Sequence, residues 1–205
     1  KKNFSGEKFR KNDKGTKSRA SWYFVWKQLG GNMRLETAQY EYIKQTVIDT
    51  YLEYGIKCIP INAFELAIKM GIKLTPYSAL SKEGKEAARL FSMDGFSVET
   101  PNGDWIIFYN DEGNSYERIN RTIMHEIGHF ALGHTGEVGE EEEMEANFFA
   151  KYALAPPPLV HRLATINQKT IKEAFDISWK AAGYAMSYYK KWLYYSGMLY
   201  RDYEI

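Results

Sequence analysis

The sequence has a single cysteine, Cys58, and no apolar stretch that approaches the roughly twenty residues of a membrane-spanning helix. One cysteine excludes an intrachain disulfide, so a reducing compartment fits best. We expect this thiol to be a small buried residue rather than a reactive one. The basic start is followed only by a short apolar run at 21–26, too brief for a secretory signal. These absences predict a soluble, cytoplasmic protein with no membrane partner.

Neither sign of charge is in excess, because 27 Lys and Arg oppose 26 Asp and Glu, but the charges are unevenly distributed. Residues 1–32 hold nine basic and two acidic residues, whereas the remainder holds eighteen and twenty-four. We interpret residues 1–32 as a flexible basic leader or a fusion remnant, with Met33 beginning the folded domain. An electrostatic arm for nucleic acid is the alternative. The acidic remainder argues against nucleic acid as a partner.

The spacing of apolar residues predicts an α+β protein. Helical spacing covers 37–53, 62–70, 115–132 and 140–154, and the last of these helices is stopped by three prolines. Strand patterns cover 72–75, 95–99 and 104–109, with a hairpin turn at 101–103. We predict a core over 33–160 and a helical segment over 161–205. Two helices joined by a tight turn, the second strongly aromatic, are expected from Thr170 onward.

A His-Glu-x-x-His segment lies in the middle of the chain. His125 and His129 are four residues apart on a predicted helix, so their side chains leave one face and could bind one zinc ion. Glu126 lies beside that face, where its carboxylate could take a proton from water on the metal. Gly128 would allow another element to pack closely. The alternative, a pair of surface histidines, is disfavoured because the surrounding residues are apolar.

A catalytic zinc ion usually has three protein ligands, so one more is needed. His134 lies about 140° around the helix from His129, and we interpret it as a helix-end or loop residue. On the next helix, Glu143 could bind the metal and Asn147 could accept the outward N–H of a ligand histidine. Glu145 lies about 200° from Glu143, so only one of the two can face the metal. We favour Glu143 and keep Glu145 as the alternative.

Two motifs together resemble the ImmA/IrrE-type metallopeptidase family: HEIGHFALGH at 125–134, and EMEANFFA at 143–150 followed by Pro156. The similarity is close over about 106–156 and loose over 35–75. The ALAP end at 153–156 departs from the family's LLMP-like end, which affects packing rather than chemistry. The resemblance implies a gluzincin-like fold, in which a small mixed sheet packs beside the HExxH helix. It also implies one zinc ion per chain with an acidic third ligand.

The resemblance further implies an intracellular zinc endopeptidase that cleaves a helix-turn-helix repressor, switching on stress or mobile-element genes. Relatives tend to be encoded beside that repressor, and some carry a helix-turn-helix-like segment after the peptidase core, as 161–205 does here. Two alternatives remain: a zinc-containing protein that binds without cutting, and a DNA-associated regulator. The aromatic second helix of the C-terminal pair favours packing or partner docking over DNA reading.

Peptide cleavage also needs a hydrogen-bond donor for the oxyanion. Tyr109, Tyr116 and His161 are candidates, with none preferred, although for His161 alone we favour an ordinary surface or loop position. The strand at 104–109 could lie at the sheet edge, where an extended substrate would pair with its backbone. A core strand is the alternative.

Overall fold

The structure, a computed structural model, describes residues 34–136 and 138–196. The predicted leader at 1–32 and the start at Met33 lie outside the described residues. The helices are α1 (Thr37–Glu53), α2 (Ala63–Lys69), α3 (Lys82–Phe91), α4 (Tyr116–Ala131), α5 (Glu140–Leu154), α6 (Pro157–His161), α7 (Gln168–Phe175) and α8 (Trp179–Ser196). The strands are β1 (Lys73–Pro76), β2 (Gly95–Glu99) and β3 (Trp105–Tyr109). The α+β class is therefore confirmed.

Local sequence signals set the ends of the helices that carry the candidate site. α4 begins after Ser115, whose side chain accepts a hydrogen bond from the Arg118 N–H. α5 begins with four consecutive glutamates, which suit the positive end of the helix dipole, and it ends just before the three prolines. The helix α3 was not predicted from the sequence, although Ser81 caps it in the same way.

The sheet has the order β1-β3-β2, with β1 parallel and β2 antiparallel to β3. The hairpin predicted at 101–103 is confirmed, since it joins β2 to β3. The expectation that β3 lies at the sheet edge is wrong, because β1 occupies the side of β3 that the hairpin leaves open. Alternating residues show which face of a strand is buried, but they do not show how many neighbours it has.

The helix α4 crosses one face of this sheet at close range. Gly95 makes the approach possible, since a Cβ atom there would lie 2.7 Å from the carbonyl oxygen of Phe108 and 2.7 Å from Cγ2 of Thr122. Two residues farther along β2, Ser97 has the same orientation and also faces α4. The glycine therefore fixes how near β2 comes to the helix that carries the HExxH motif.

We expect Gly95→Ala to lower the free energy of unfolding by about 1–3 kcal/mol, because the added methyl group has no space beside a backbone oxygen. Urea denaturation would measure the change. Val98→Ala, on the partly exposed opposite face of the same strand, is the control and should cost less. An unchanged midpoint for Gly95→Ala would contradict the close approach.

The helices α4 and α5 form the most extensive helix–helix contact in the described part of the chain. Gly128 serves this contact as predicted, since a Cβ atom there would lie 3.1–3.2 Å from the side chain of the fully buried Phe149. The C-terminal helices pack onto the same unit, and the ring of Tyr188 on α8 lies 5.7 Å from that of Phe148 on α5. This arrangement holds α5 from two sides.

Two further expectations have outcomes here. Cys58 is exposed, in the loop between α1 and α2, so the prediction of a buried thiol is wrong. The helices α7 and α8 are joined by only three residues, which confirms the predicted pair with a tight turn, and Asp176 in that turn is left-handed with φ 48°. Among the described helices, none is both long and apolar enough to cross a membrane.

Candidate metal centre

Three side chains converge between α4 and α5. Nε2 of His125 lies 3.1 Å from Nε2 of His129 and 3.3 Å from Oε2 of Glu143. Oε1 of Glu143 lies 3.6 Å from Nε2 of His129. The helical spacing places the histidines one turn apart on α4, and the packing of α5 brings Glu143 opposite them. The structure thus groups the three residues favoured from the sequence.

These separations fit a zinc ion. Four ligands at 2.0–2.1 Å in tetrahedral geometry lie about 3.3 Å from one another, close to the separations of 3.1–3.6 Å found here. Two imidazole nitrogens and one carboxylate form the donor set of a catalytic site, which keeps its fourth position open. The donor types and their spacing therefore suit one zinc ion with room for water or substrate.

Glu126 lies beside this group and is almost completely buried, with 2% of its surface exposed. Its Oε2 accepts a hydrogen bond from Oγ of Ser97 on β2 at 2.7 Å. A buried carboxylate needs such a partner, and the bond fixes where the carboxylate points. The sequence analysis missed Ser97. The only signal for it was its place, two residues after Gly95, on the strand face that the glycine brings to α4.

The sequence analysis predicts that Glu126 is a general base beside a metal ion, and loss of the Ser97 hydroxyl should then impair this base without changing metal binding. A hydrogen bond to a charged group contributes about 1.5–3 kcal/mol, so we expect Ser97→Ala to lower kcat/KM about tenfold or more. Zinc content should stay at the wild-type value. Ser97→Thr, which retains a hydroxyl, is the matched control. Equal kcat/KM in the alanine variant and the wild type would show that this bond does not orient Glu126.

Asn147 does not make the predicted contact with a ligand histidine. Its Oδ1 accepts a hydrogen bond from Nη2 of Arg121 at 2.9 Å, and its Nδ2 donates to the backbone carbonyl of Glu143 at 2.7 Å. The amide lies one turn after Glu143, which leaves it closer to the preceding turn of α4 than to the histidines. Its role here is to join α4 to α5 near Glu143.

The contact with a ligand histidine that was expected of Asn147 is made by His134, and Glu145 in turn contacts His134. Nδ1 of His134 lies 2.9 Å from Nδ1 of His129, and Nε2 of His134 lies 2.9 Å from Oε2 of Glu145. The structure therefore separates the two glutamates, because Glu143 groups with His125 and His129, whereas Glu145 contacts His134 on the other side of His129. His134 does follow the end of α4, as predicted, but its ring folds back onto the helix.

None of the three candidate oxyanion donors lies near the candidate metal ligands. Tyr116 begins α4, nine residues before His125, or about 14 Å along the helix axis. Tyr109 is at the same end, with its ring 5.5 Å from that of Phe64, and burial raises the pKa of its phenol. Both tyrosines pack on α2 instead.

His161 lies with the C-terminal helix. Its Nδ1 is 2.8 Å from the hydroxyl of Tyr189 on α8, and its ring lies against Trp192. The helix α6 follows the end of α5, and Glu143 is eleven residues, or about 16 Å, before that end. This position, far from Glu143, agrees with His161 being an ordinary surface residue and not an oxyanion donor.

Comparison with known families gives one match. The family model for the M78 peptidases, described as the IrrE N-terminal-like domain, matches residues 84–187. The matched range covers slightly more than half of the 205 residues and includes α4, α5 and the sheet hairpin. No curated protein matches the chain significantly. The family match agrees with the resemblance drawn from the two motifs, and the chain belongs to the M78, or ImmA/IrrE, peptidase family.

Proposed function

We propose that this peptidase-family protein is a zinc-dependent endopeptidase with a gluzincin-like core. The observation that carries the proposal is the convergence of His125, His129 and Glu143 at tetrahedral spacing beside the buried carboxylate of Glu126. A structural zinc site has four protein ligands and needs no base, whereas this group offers three ligands with a carboxylate next to them. The arrangement therefore favours catalysis over a zinc-containing protein that binds without cutting.

The side chains have distinct tasks in this proposal. Zinc, when bound, polarises the scissile carbonyl and makes water more acidic. His125, His129 and Glu143 hold the ion from α4 and α5. Glu126 takes the proton of the attacking water and later gives it to the leaving amine. Its near-complete burial and the Ser97 hydrogen bond keep the carboxylate in one orientation for both transfers.

The substrate would lie along β2 rather than β3. Within the described residues, no strand pairs with the outer edge of β2, and Ser97 on this strand reaches Glu126. An extended peptide that adds to this edge by backbone hydrogen bonds would pass next to the base. The sequence analysis expected the substrate to pair with β3, and we propose that it pairs with β2 instead.

The class of substrate is inferred from what the resemblance to the ImmA/IrrE-type family implies. We infer that the protein cleaves a helix-turn-helix repressor in the cytoplasm and so derepresses stress or mobile-element genes. The lone cysteine fits a reducing compartment. Residues 1–32 and 161–205 are proposed as a leader and an appended helical segment around a core at 33–160, with no role in reading nucleic acid.

Incubation with a candidate helix-turn-helix repressor tests the proposal. We expect mass spectrometry to find a defined cut in the repressor, lost with 1,10-phenanthroline and restored with zinc. A repressor that binds stoichiometrically but stays intact with the zinc-loaded protein would indicate the non-catalytic alternative. Cleavage that persists after complete removal of metal would contradict the metal-dependent mechanism.

A further inference from the structure

A row of polar side chains extends from the metal ligands toward α1. His129 contacts His134, His134 contacts Glu145, and Nε2 of Gln39 on α1 lies 3.3 Å from Oε1 of Glu145. The ring of His134 is nearly buried, with 7% of its side chain exposed, and Glu145 is exposed by 17%. Apart from His129, the members of this row are distinct from the proposed ligands and from Glu126, and the proposed mechanism gives them no function.

The turn at the end of α4 places His134 in this row. The N–H of His134 donates to the carbonyl of His129 at 2.9 Å, and the N–H of Gly133 donates to that of Phe130 at 3.1 Å. Gly133 has φ 73°. These two bonds, with a left-handed glycine between them, form a Schellman motif, which reverses the chain at the end of a helix. The reversal brings the His134 ring back beside His129.

The hydrogen-bond roles of the two histidines follow from the carboxylate of Glu145. An ionised carboxylate only accepts, so Nε2 of His134 carries hydrogen and donates to Glu145. In a neutral ring the other nitrogen, Nδ1, then has a lone pair and accepts from Nδ1–H of His129. A neutral His129 with hydrogen on Nδ1 has its lone pair on Nε2. That atom is the one that faces His125 and Glu143.

We propose that His134 and Glu145 are positioning residues that hold His129 in the tautomer and orientation that bind zinc. This inference rests on the proposed zinc site. Outer hydrogen bonds of this kind typically change metal affinity by about 10–100-fold. The effect should act through His129, because among the described residues Nδ1 of His125 has no hydrogen-bond partner. His134 thus acts on the metal site through a ligand and does not bind metal itself.

Zinc affinity, measured by competition with a chromophoric chelator, tests the proposal without any substrate. We expect His134→Ala and Glu145→Ala each to weaken zinc binding by about 10–100-fold. Because the two residues act in series, the double variant should be no weaker than His134→Ala alone. Glu140→Ala, an exposed glutamate in the first turn of the same helix, is the control and should match the wild type.

A second measurement uses the wild-type protein and so does not depend on the folding of any variant. Long-range 1H–15N NMR spectra of the zinc-loaded protein should show hydrogen on Nδ1 of His129 and on Nε2 of His134. Hydrogen on Nδ1 of His134 would overturn the proposal. Wild-type zinc affinity in both single variants would also overturn it while leaving the proposed peptidase intact. A wild type that binds no stoichiometric zinc would overturn both.

Discussion

Replacing Glu126 by glutamine should abolish cleavage while zinc remains bound. General acid–base catalysis contributes about 10²–10⁴-fold to rate, and Glu126 is the one group proposed for both proton transfers. We expect kcat on the repressor substrate to fall by about that factor. Glutamine has the same size, and its carbonyl oxygen can still accept the hydrogen bond from Ser97. The substitution therefore removes the base with little change in shape.

Elemental analysis and thermal denaturation of Glu126→Gln separate catalysis from folding. Zinc content of about one per chain and a melting temperature near that of the wild type are expected, since the amide keeps the buried contacts. Glu86→Gln, an exposed change on α3, is the control for loss of one negative charge. A Glu126→Gln protein that still cuts at the wild-type rate would remove Glu126 from the mechanism. The metal ligands would then need a different base.

The ligand group could be predicted because it depends on short-range spacing. Helical periodicity predicts that His125 and His129 share a face, and on the next helix it favours Glu143 as the third ligand, with Glu145 about 200° away as the alternative. The structure groups Glu143 with the two histidines, in agreement with the prediction. The end of α5 was predictable for the same reason, since the three prolines act on their immediate neighbours.

Long-range pairings could not be predicted. The parallel pairing of β1 with β3 joins segments about thirty residues apart, and nothing in the alternation of β3 indicates it. That pairing covers the free side of β3 and leaves β2 at an edge of the sheet. The contact of Ser97 with Glu126 depends on a second long-range feature, the packing of α4 on β2. The tyrosine candidates failed for the same reason. Tyr109 and Tyr116 were chosen as residue types, and only the packing of α2 shows where their rings lie.

His134 is an intermediate case, because a local signal was present. Leu-Gly-His after a helix is typical of a Schellman turn, in which the residue after glycine returns over the last turn of the helix. The angle of about 140° from His129 assumed that the helix continues past Gly133. The glycine breaks that continuation, so His134 contacts His129 from outside the helix. A helical wheel describes side chains only up to the point where the helix ends.

Replacing Glu143 by alanine should remove most of the zinc. The variant leaves two histidine ligands, and we expect the loss of affinity to exceed the 10–100-fold typical of outer partners. Zinc at a concentration of 100 times Kd stabilises a folded protein by about 2.7 kcal/mol. Wild-type protein should therefore melt at a lower temperature after chelation, whereas Glu143→Ala should melt at the same temperature with and without a chelator.

Comparison with two other glutamates of α5 makes this test specific. Glu140→Ala also removes one negative charge from the first turn of the helix, where an acidic residue contributes about 0.3–1 kcal/mol, so it corrects for the dipole effect. It should retain about one zinc ion per chain. Glu145→Ala should show an intermediate affinity, because that carboxylate reaches the metal only through His134 and His129. If Glu145→Ala lost zinc completely and Glu143→Ala retained it, Glu145 would be the third ligand, and α5 would have to turn by about 200° to present it.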